Sequence, residues 1–275
     1  MNAKRPIGVF DSGVGGLSVW REIARQLPGE DTIYFADQIH IPYGPRPLAQ
    51  IREFSEAITR FLLARECKAI VVACNTASAA ALRHLRETFP RVPFVGMEPA
   101  VKPAAEATHT RVVGVLATPA TFQGALFASV VERFANGVQL INQVCPGLVE
   151  RVEAGALDAP DTEAMLRGFL QPLLDASADT IVLACTHYPF VIESIRRIAG
   201  PGVNVIDPAP AIARQTGRVL VERGLRAPEP RIGRRVFYTS GDDDAFRGVM
   251  DRLVNAGGQI ELAVWRGDDT RVETT

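Results

Sequence analysis

Short apolar runs rich in Val, Ile and Phe recur along the chain at 7–10, 32–36, 69–73, 93–96, 111–116, 138–142, 180–184 and 204–206, with two more at 235–239 and 260–264. Between them lie stretches whose apolar residues fall three and four apart, such as 48–65, 78–88, 122–134, 162–176 and 209–222. The first pattern predicts strands and the second predicts amphipathic helices. Runs that stay apolar at successive positions belong to strands covered on both faces. The alternation therefore reads as an α/β fold of βα units with mainly parallel sheets.

The pattern also repeats. The segment from Ile70 through Cys74 to Thr76 matches that from Ile181 through Cys185 to His187 at an offset of 111. Gly8 to Ser12 matches Gly114 to Thr118 at an offset of 106, and Gly96 to Ala100 matches Val205 to Ala209 at 109. Three matches in one order at nearly one spacing predict two related domains. The residues after Ile206 lie outside the repeat and either form a small third unit or return to complete the first.

Composition narrows the function classes. A chain of 275 residues with 47% hydrophobic and 22% charged residues is ordinary globular material, long enough for two cores. Thirty Lys and Arg against 31 Asp and Glu give a net charge of −1 with no basic block, so neither nucleic acid nor a membrane surface is expected as a partner. No apolar run approaches the about 18 residues of a membrane span, and the start lacks the apolar core of a secretion signal. Cys67, Cys74, Cys145 and Cys185 form neither a disulfide framework nor a metal-ligand spacing, so no metal is expected. The expectation is a soluble cytoplasmic protein with reduced thiols.

The candidate chemistry lies at strand ends. In open parallel sheets ligands bind beyond the carboxyl ends of the strands. Cys74 and Cys185 both sit there, each followed by a polar pair, Asn75-Thr76 and Thr186-His187, at the entry to a helix whose N-terminus favours anions. His187, two residues beyond Cys185, has Glu150 or Glu153 as an acid to orient it. The loop Asp11-Ser12-Gly13-Val14-Gly15-Gly16 has part of a dinucleotide fingerprint but carries Ser18 where the third glycine belongs, and Asp11 would repel a pyrophosphate. A small ligand with an ammonium for Asp11 and a carboxylate for Ser12 suits it better. Pro42-Tyr43-Gly44-Pro45 is a proline-bounded turn presenting a ring and backbone N–H groups. Cys67 precedes a strand and reads as structural, and Cys145 reads as packing or support.

Two equivalent thiols facing one ligand suit the inversion of a stereocentre, in which one group removes a proton from one face and the other returns a proton to the opposite face. No lysine Schiff-base motif, metal site or flavin site competes, so the expected reaction needs no cofactor. A Cys-His hydrolase built on Cys185 and His187, or an amino-acid-binding module without catalysis, are the readings from other classes.

These segments resemble the glutamate racemases of the aspartate/glutamate racemase superfamily over essentially the whole chain. The resemblance is carried by Ile7 to Leu17, Pro42-Tyr43-Gly44, Ala73-Cys74-Asn75-Thr76-Ala77, Cys145-Pro146 with Val152-Glu153-Ala154-Gly155, and Ala184-Cys185-Thr186-His187-Tyr188-Pro189. It implies Cys74 and Cys185 as the two acid/base residues, Asp11 and His187 as their respective partners, and Glu153 as the acid approaching His187, with Glu150 an extra acid beside it. It further implies that Asp11, Ser12, Tyr43, Gly44, Asn75, Thr76, Thr186 and His187 bind glutamate. Two flavodoxin-like domains in a pseudo-two-fold arrangement are expected, one of residues 1–97 plus 208–275 and one of 98–207, with the site between them. D-glutamate for bacterial peptidoglycan would be the product, and homodimers are frequent in that family. Relatives acting on aspartate, a hydantoin or an arylmalonate are the near alternatives.

Overall fold

The computed structural model describes residues 2–228 and 230–274; residues 1, 229 and 275, which the expected division assigns to the first domain, lie outside the described residues. The chain runs β1 (Ile7–Asp11), α1 (Leu17–Gln26), β2 (Thr32–Ala36), α2 (Leu48–Ala64), β3 (Ala69–Val72), α3 (Asn75–Thr88) and β4 (Phe94–Gly96). It continues through α4 (Val101–Ala107), β5 (Val112–Ala117), α5 (Pro119–Gln123), α6 (Ala125–Phe134), β6 (Gln139–Val144), α7 (Leu148–Glu153), α8 (Pro160–Asp175), β7 (Thr180–Ala184), α9 (Ile192–Ala199) and β8 (Asn204–Ile206). The last stretch adds α10 (Ala209–Glu222), β9 (Arg235–Thr239), α11 (Asp243–Val254), β10 (Gln259–Arg266) and β11 (Arg271–Thr274).

The strands form two sheets, of order β11-β10-β9-β2-β1-β3-β4 and β6-β5-β7-β8. Within the first, β2-β1-β3-β4 has the same order as the whole of the second, with β1 matching β5, β3 matching β7 and β4 matching β8. The three sequence matches fall on these equivalent strands in that order. Strands β9 to β11 of the tail extend the first sheet through β2, where Tyr34 pairs with Phe237 in parallel register. The described pairings are parallel except β10 with β11, which is antiparallel.

Strand burial follows from the period of two. On β1 and β3, Val9 and Val71 face one apolar layer with α1 and α10, while Phe10, Ile70 and Val72 face another with α2 and α3. The first layer runs on without a break into the second sheet, where it takes in Leu116, Leu148, Ile181, Leu183 and Tyr188. Continuity of apolar packing holds the two sheets in one relation, and that relation places the strand ends. The helix expected over 122–134 is two helices meeting at Gly124, whose extended backbone (ψ 138°) ends α5 and starts α6. Strand β11 had no apolar signal because it is a short, largely exposed edge of alternating Arg271, Val272, Glu273 and Thr274.

One buried ion pair fastens four segments at the amino ends of the strands. The Lys68 ammonium, just before β3, is fully buried against Glu30 and also donates to the Ala3 carbonyl at 2.5 Å. The other Glu30 oxygen accepts from the Ala227 N–H at 2.8 Å. A buried pair contributes little over a well-packed apolar replacement, but removing one partner strands a charge. Because Arg226 Nε remains 3.8 Å from Glu30, Lys68→Met is expected to lower the free energy of unfolding by about 3 kcal/mol, the low end for a broken buried pair, read by denaturant titration. A loss under about 1 kcal/mol would mean that the pair is not desolvated as described.

Candidate active site

Both candidate thiols follow strand ends, but only Cys74 caps an α-helix; Cys185, expected at a helix entry, is followed by a 3-10 turn over Tyr188–Val191, and α9 begins only at Ile192. β3 ends at Val72, and Cys74 takes an extended conformation (φ −133°, ψ 123°) as the N-cap of α3, its sulfur accepting the Ala77 N–H at 3.4 Å. A sulfur stands here in the place of the usual Ser or Asp oxygen. That cap is why α3 begins at Asn75, earlier than the apolar spacing from Ser78 indicates. Asp11 ends β1 beside it, fully buried, and its Oδ2 accepts the Gly16 N–H at 2.7 Å, fixing the turn into α1. Burial pushes the Asp11 carboxyl above its usual range; the nearby His187 charge and the Gly16 N–H offset only part of this. Burial and then the Asp11 charge hold the Cys74 thiol well above its ordinary value, against the pull of the Ala77 N–H.

In the second sheet β7 ends at Ala184, and Cys185 lies 3.7 Å from His187 Nδ1. His187 Nε2 meets Glu153 Oε1 at 2.6 Å across from α7. Burial alone would push the imidazole down, but the hydrogen bonds and charges of Cys185 and Glu153 outweigh it and hold His187 well above the ordinary value. Each ring nitrogen thus has its own partner, Nε2 the carboxylate and Nδ1 the sulfur. Of the two acids weighed, Glu153 meets the ring and Glu150 lies exposed on the cavity wall.

The two halves meet along a seam of hydrogen bonds. Glu153 Oε1 also accepts the Val14 N–H at 2.7 Å, and its Oε2 accepts from Gln38 at 3.1 Å. Ser18 donates to the Thr186 carbonyl at 3.0 Å, Thr186 to Asp11 at 3.4 Å, and Thr76 and Thr118 share a bond of 2.8 Å. The glycines of the first loop are required by this approach: a Cβ on Gly13 would come to 2.1 Å from Glu153 Oε1, and one on Gly15 to 2.3 Å from His187 Nδ1. The loop is therefore filled by the partner sheet's side chains, which leaves no room for a pyrophosphate.

Inside the seam is a cavity of about 200 Å³, small beside the about 300–1,000 Å³ of sites for drug-sized ligands. Cys74 and Cys185 both line it, with Ser12, Tyr43, Gly44, Asn75, Thr76, Thr186 and His187. Asp11 and Glu153 do not line it; they stand behind this wall, bonded to Thr186 and His187. Asn75 is 3% exposed and neither atom of its amide has a partner, so both are free for a ligand. The Tyr43 hydroxyl does not face a ligand: it donates at 2.5 Å to Asp37, which is fully buried and also accepts from His40, Trp265 and Ser240. Cys67 is in the core, as its position before β3 indicated.

Two residues of the wall, Thr118 and Cys145, and one behind it, Gln38, were not expected in these places. Thr118 lies at the end of β5, and its signal was present, since it is the repeat counterpart of Ser12. Cys145, expected to pack or to support the site, is buried in the core cluster and also lines the cavity. Gln38 had no signal, because its role depends on Thr239 of the distant tail holding its amide oxygen at 2.7 Å. Among the described residues no group of three or more His, Cys, Asp or Glu side chains is arranged to hold a metal ion.

Known proteins share this arrangement. The family model described as Asp/Glu/Hydantoin racemase matches residues 7–216. A glutamate racemase of Roseiflexus sp. (strain RS-1) is 52% identical over 261 residues, covering 94% of this chain and 96% of its own. The structure of a Francisella tularensis glutamate racemase in complex with D-glutamate superposes with a TM-score of 0.83 at 32% identity, over 96% of this chain and 98% of that one. An Escherichia coli glutamate racemase in complex with L-glutamate and the activator UDP-MurNAc-ala gives 0.84 at 34%, over 96% and 100%. At half identity over nearly its whole length, the chain belongs to the Asp/Glu/hydantoin racemase family, among its glutamate racemases.

Proposed function

We propose that this chain interconverts L- and D-glutamate by passing the α-proton between Cys74 and Cys185, without a cofactor, and that its D-glutamate serves peptidoglycan synthesis in the cytoplasm. The observation that carries the reading is that two thiols, at equivalent strand ends of two different sheets, line one cavity sized for a small metabolite. The relatives holding D-glutamate and L-glutamate support the substrate. The division into residues 1–97 plus 208–275 and 98–207 belongs to the same reading, with one cysteine supplied by each unit.

In one direction the Cys185 thiolate takes the α-proton from one face of the substrate. The Cys74 thiol, kept protonated by burial and by Asp11, gives its proton to the other face. One C–H bond breaks and one forms, one thiolate is consumed and one is produced, and the net charge of the site is unchanged. In the reverse direction the roles exchange. His187 stabilises negative charge at Cys185, while Asp11, whose raised carboxyl can carry a proton, serves Cys74. Charge developing toward the substrate carboxylate meets neutral donors: the Asn75 amide, the Thr76 and Ser12 hydroxyls, and the N-terminus of α3. The alternative of a Cys185-His187 hydrolase leaves Cys74 and the open Asn75 amide without a task.

Cys74→Ser and Cys185→Ser are each expected to lower racemisation of L-glutamate by at least about 100-fold, followed by circular dichroism; a near-native rate in either variant refutes the two-base assignment. L-aspartate should be racemised far more slowly than L-glutamate in the same assay, and the reverse order would move the chain to another branch of the family. The raised His187 value makes a stability prediction of fixed sign. Its contribution is complete below the unfolded pKa and is lost as pH rises through the higher folded one. The gap in unfolding midpoint between the native chain and His187→Asn should therefore be widest below about pH 6.5 and narrow as the pH rises above it.

A further inference from the structure

Tyr188 follows His187 in a single turn of 3-10 helix, Tyr188–Val191, and is completely buried. Its hydroxyl makes no hydrogen bond of good geometry, and the sulfurs of Cys145 and Cys185 are the groups nearest to pairing with it. It belongs to the same apolar cluster as Cys145, Leu148 and Cys185, and the thiols of Cys145 and Cys185 are the groups that act on it. A buried phenol without a partner is costly, and phenols in cores almost always find an acceptor. The Cys145 thiol donates toward the Gln143 carbonyl, 3.8 Å away, and takes no part in the proposed proton transfer, so of the two sulfurs beside the phenol Cys185 is the one whose charge changes during the reaction.

Thiol sulfur accepts hydrogen bonds weakly, whereas a thiolate accepts them strongly. We infer that the Tyr188 hydroxyl is a further catalytic group: it stands unpaired while Cys185 is a thiol and donates a hydrogen bond to that sulfur when it is a thiolate. An interaction made in one charge state alone lowers the free energy of that state without tightening the other, which is what a proton carrier requires. It also supplies what the repeat leaves out. Cys74 receives the Ala77 N–H from α3, but among the described hydrogen bonds no backbone N–H reaches the Cys185 sulfur. Other groups facing Cys185 are His187 at 3.7 Å, with Glu153 behind it, Cys145 beside Tyr188, and Cys74, with Glu150 on the wall.

The inference rests on Cys185 being one of the two proton carriers, and its test reads the sulfur directly. In Tyr188→Phe, the pH profile for iodoacetamide alkylation of Cys185, resolved from Cys74 by peptide mass spectrometry, should move up by about one unit while that of Cys74 stays in place. Catalytic efficiency should fall about tenfold, and equally in both directions, because the equilibrium constant between enantiomers is unity. The unfolding midpoint should hold or rise, since the lost hydroxyl made no hydrogen bond of good geometry. An unmoved Cys185 profile, or equal movement of both cysteines, overturns the inference. Failure of the native chain to racemise glutamate would instead refute the proposed function, and it leaves the alkylation result readable by itself.

Discussion

Everything at the cavity depends on the Glu153 carboxylate. It reaches out of α7 to the first sheet's loop, accepts the Val14 N–H, the Gln38 amide and the His187 ring at once, and so fixes the separation of the two sheets at the point where the thiols meet. Shortening it would leave an imidazole, a backbone N–H and an amide without their shared acceptor, all in a partly buried place. The glycines at 13 and 15 are the other half of this contact, because the carboxylate and the ring occupy the space their side chains would need. Electrostatics and sterics here are one constraint: the charge pair forms only at a distance that forbids any other residue in the loop.

Duplication set the frame, and the two halves then diverged in how each supports its thiol. Cys74 has a helix N-terminus and a carboxylate that can carry a proton, so its resting form is the thiol. Cys185 has an imidazole and, behind it, a carboxylate. A reaction that runs both ways needs one carrier loaded and one empty at the start of each turn.

Much of this was legible in the chain because it is written in local rules. The strand runs, the repeat and the strand-end cysteines follow from period and position, and Asn75 and Thr186 follow from the cysteines beside them. Where reading failed, the deciding contact was distant. Glu150 and Glu153 are three residues apart on one helix face, so periodicity cannot choose between them; about 4.5 Å along the helix axis does. Gln38 and Tyr43 are held by Thr239 and Asp37, and Asp37 in turn by Trp265, more than 200 residues further along. Tyr188 was quoted only as part of a motif, since nothing in its sequence tells a buried hydroxyl with a partner from one without.

The pairing of β2 with β9 has a consequence for the order in which the molecule can be made. The outer edge of β2 is a row of open N–H and C=O groups until residues 235–239 arrive, some 200 residues later. A chain growing from its amino terminus therefore carries an unsealed sheet edge through most of its synthesis, a template for pairing with other chains. Trp265 closes the same account, because Asp37 waits for it as well. The active loop at 42–45 is among the first segments translated, yet it acquires its final anchor among the last.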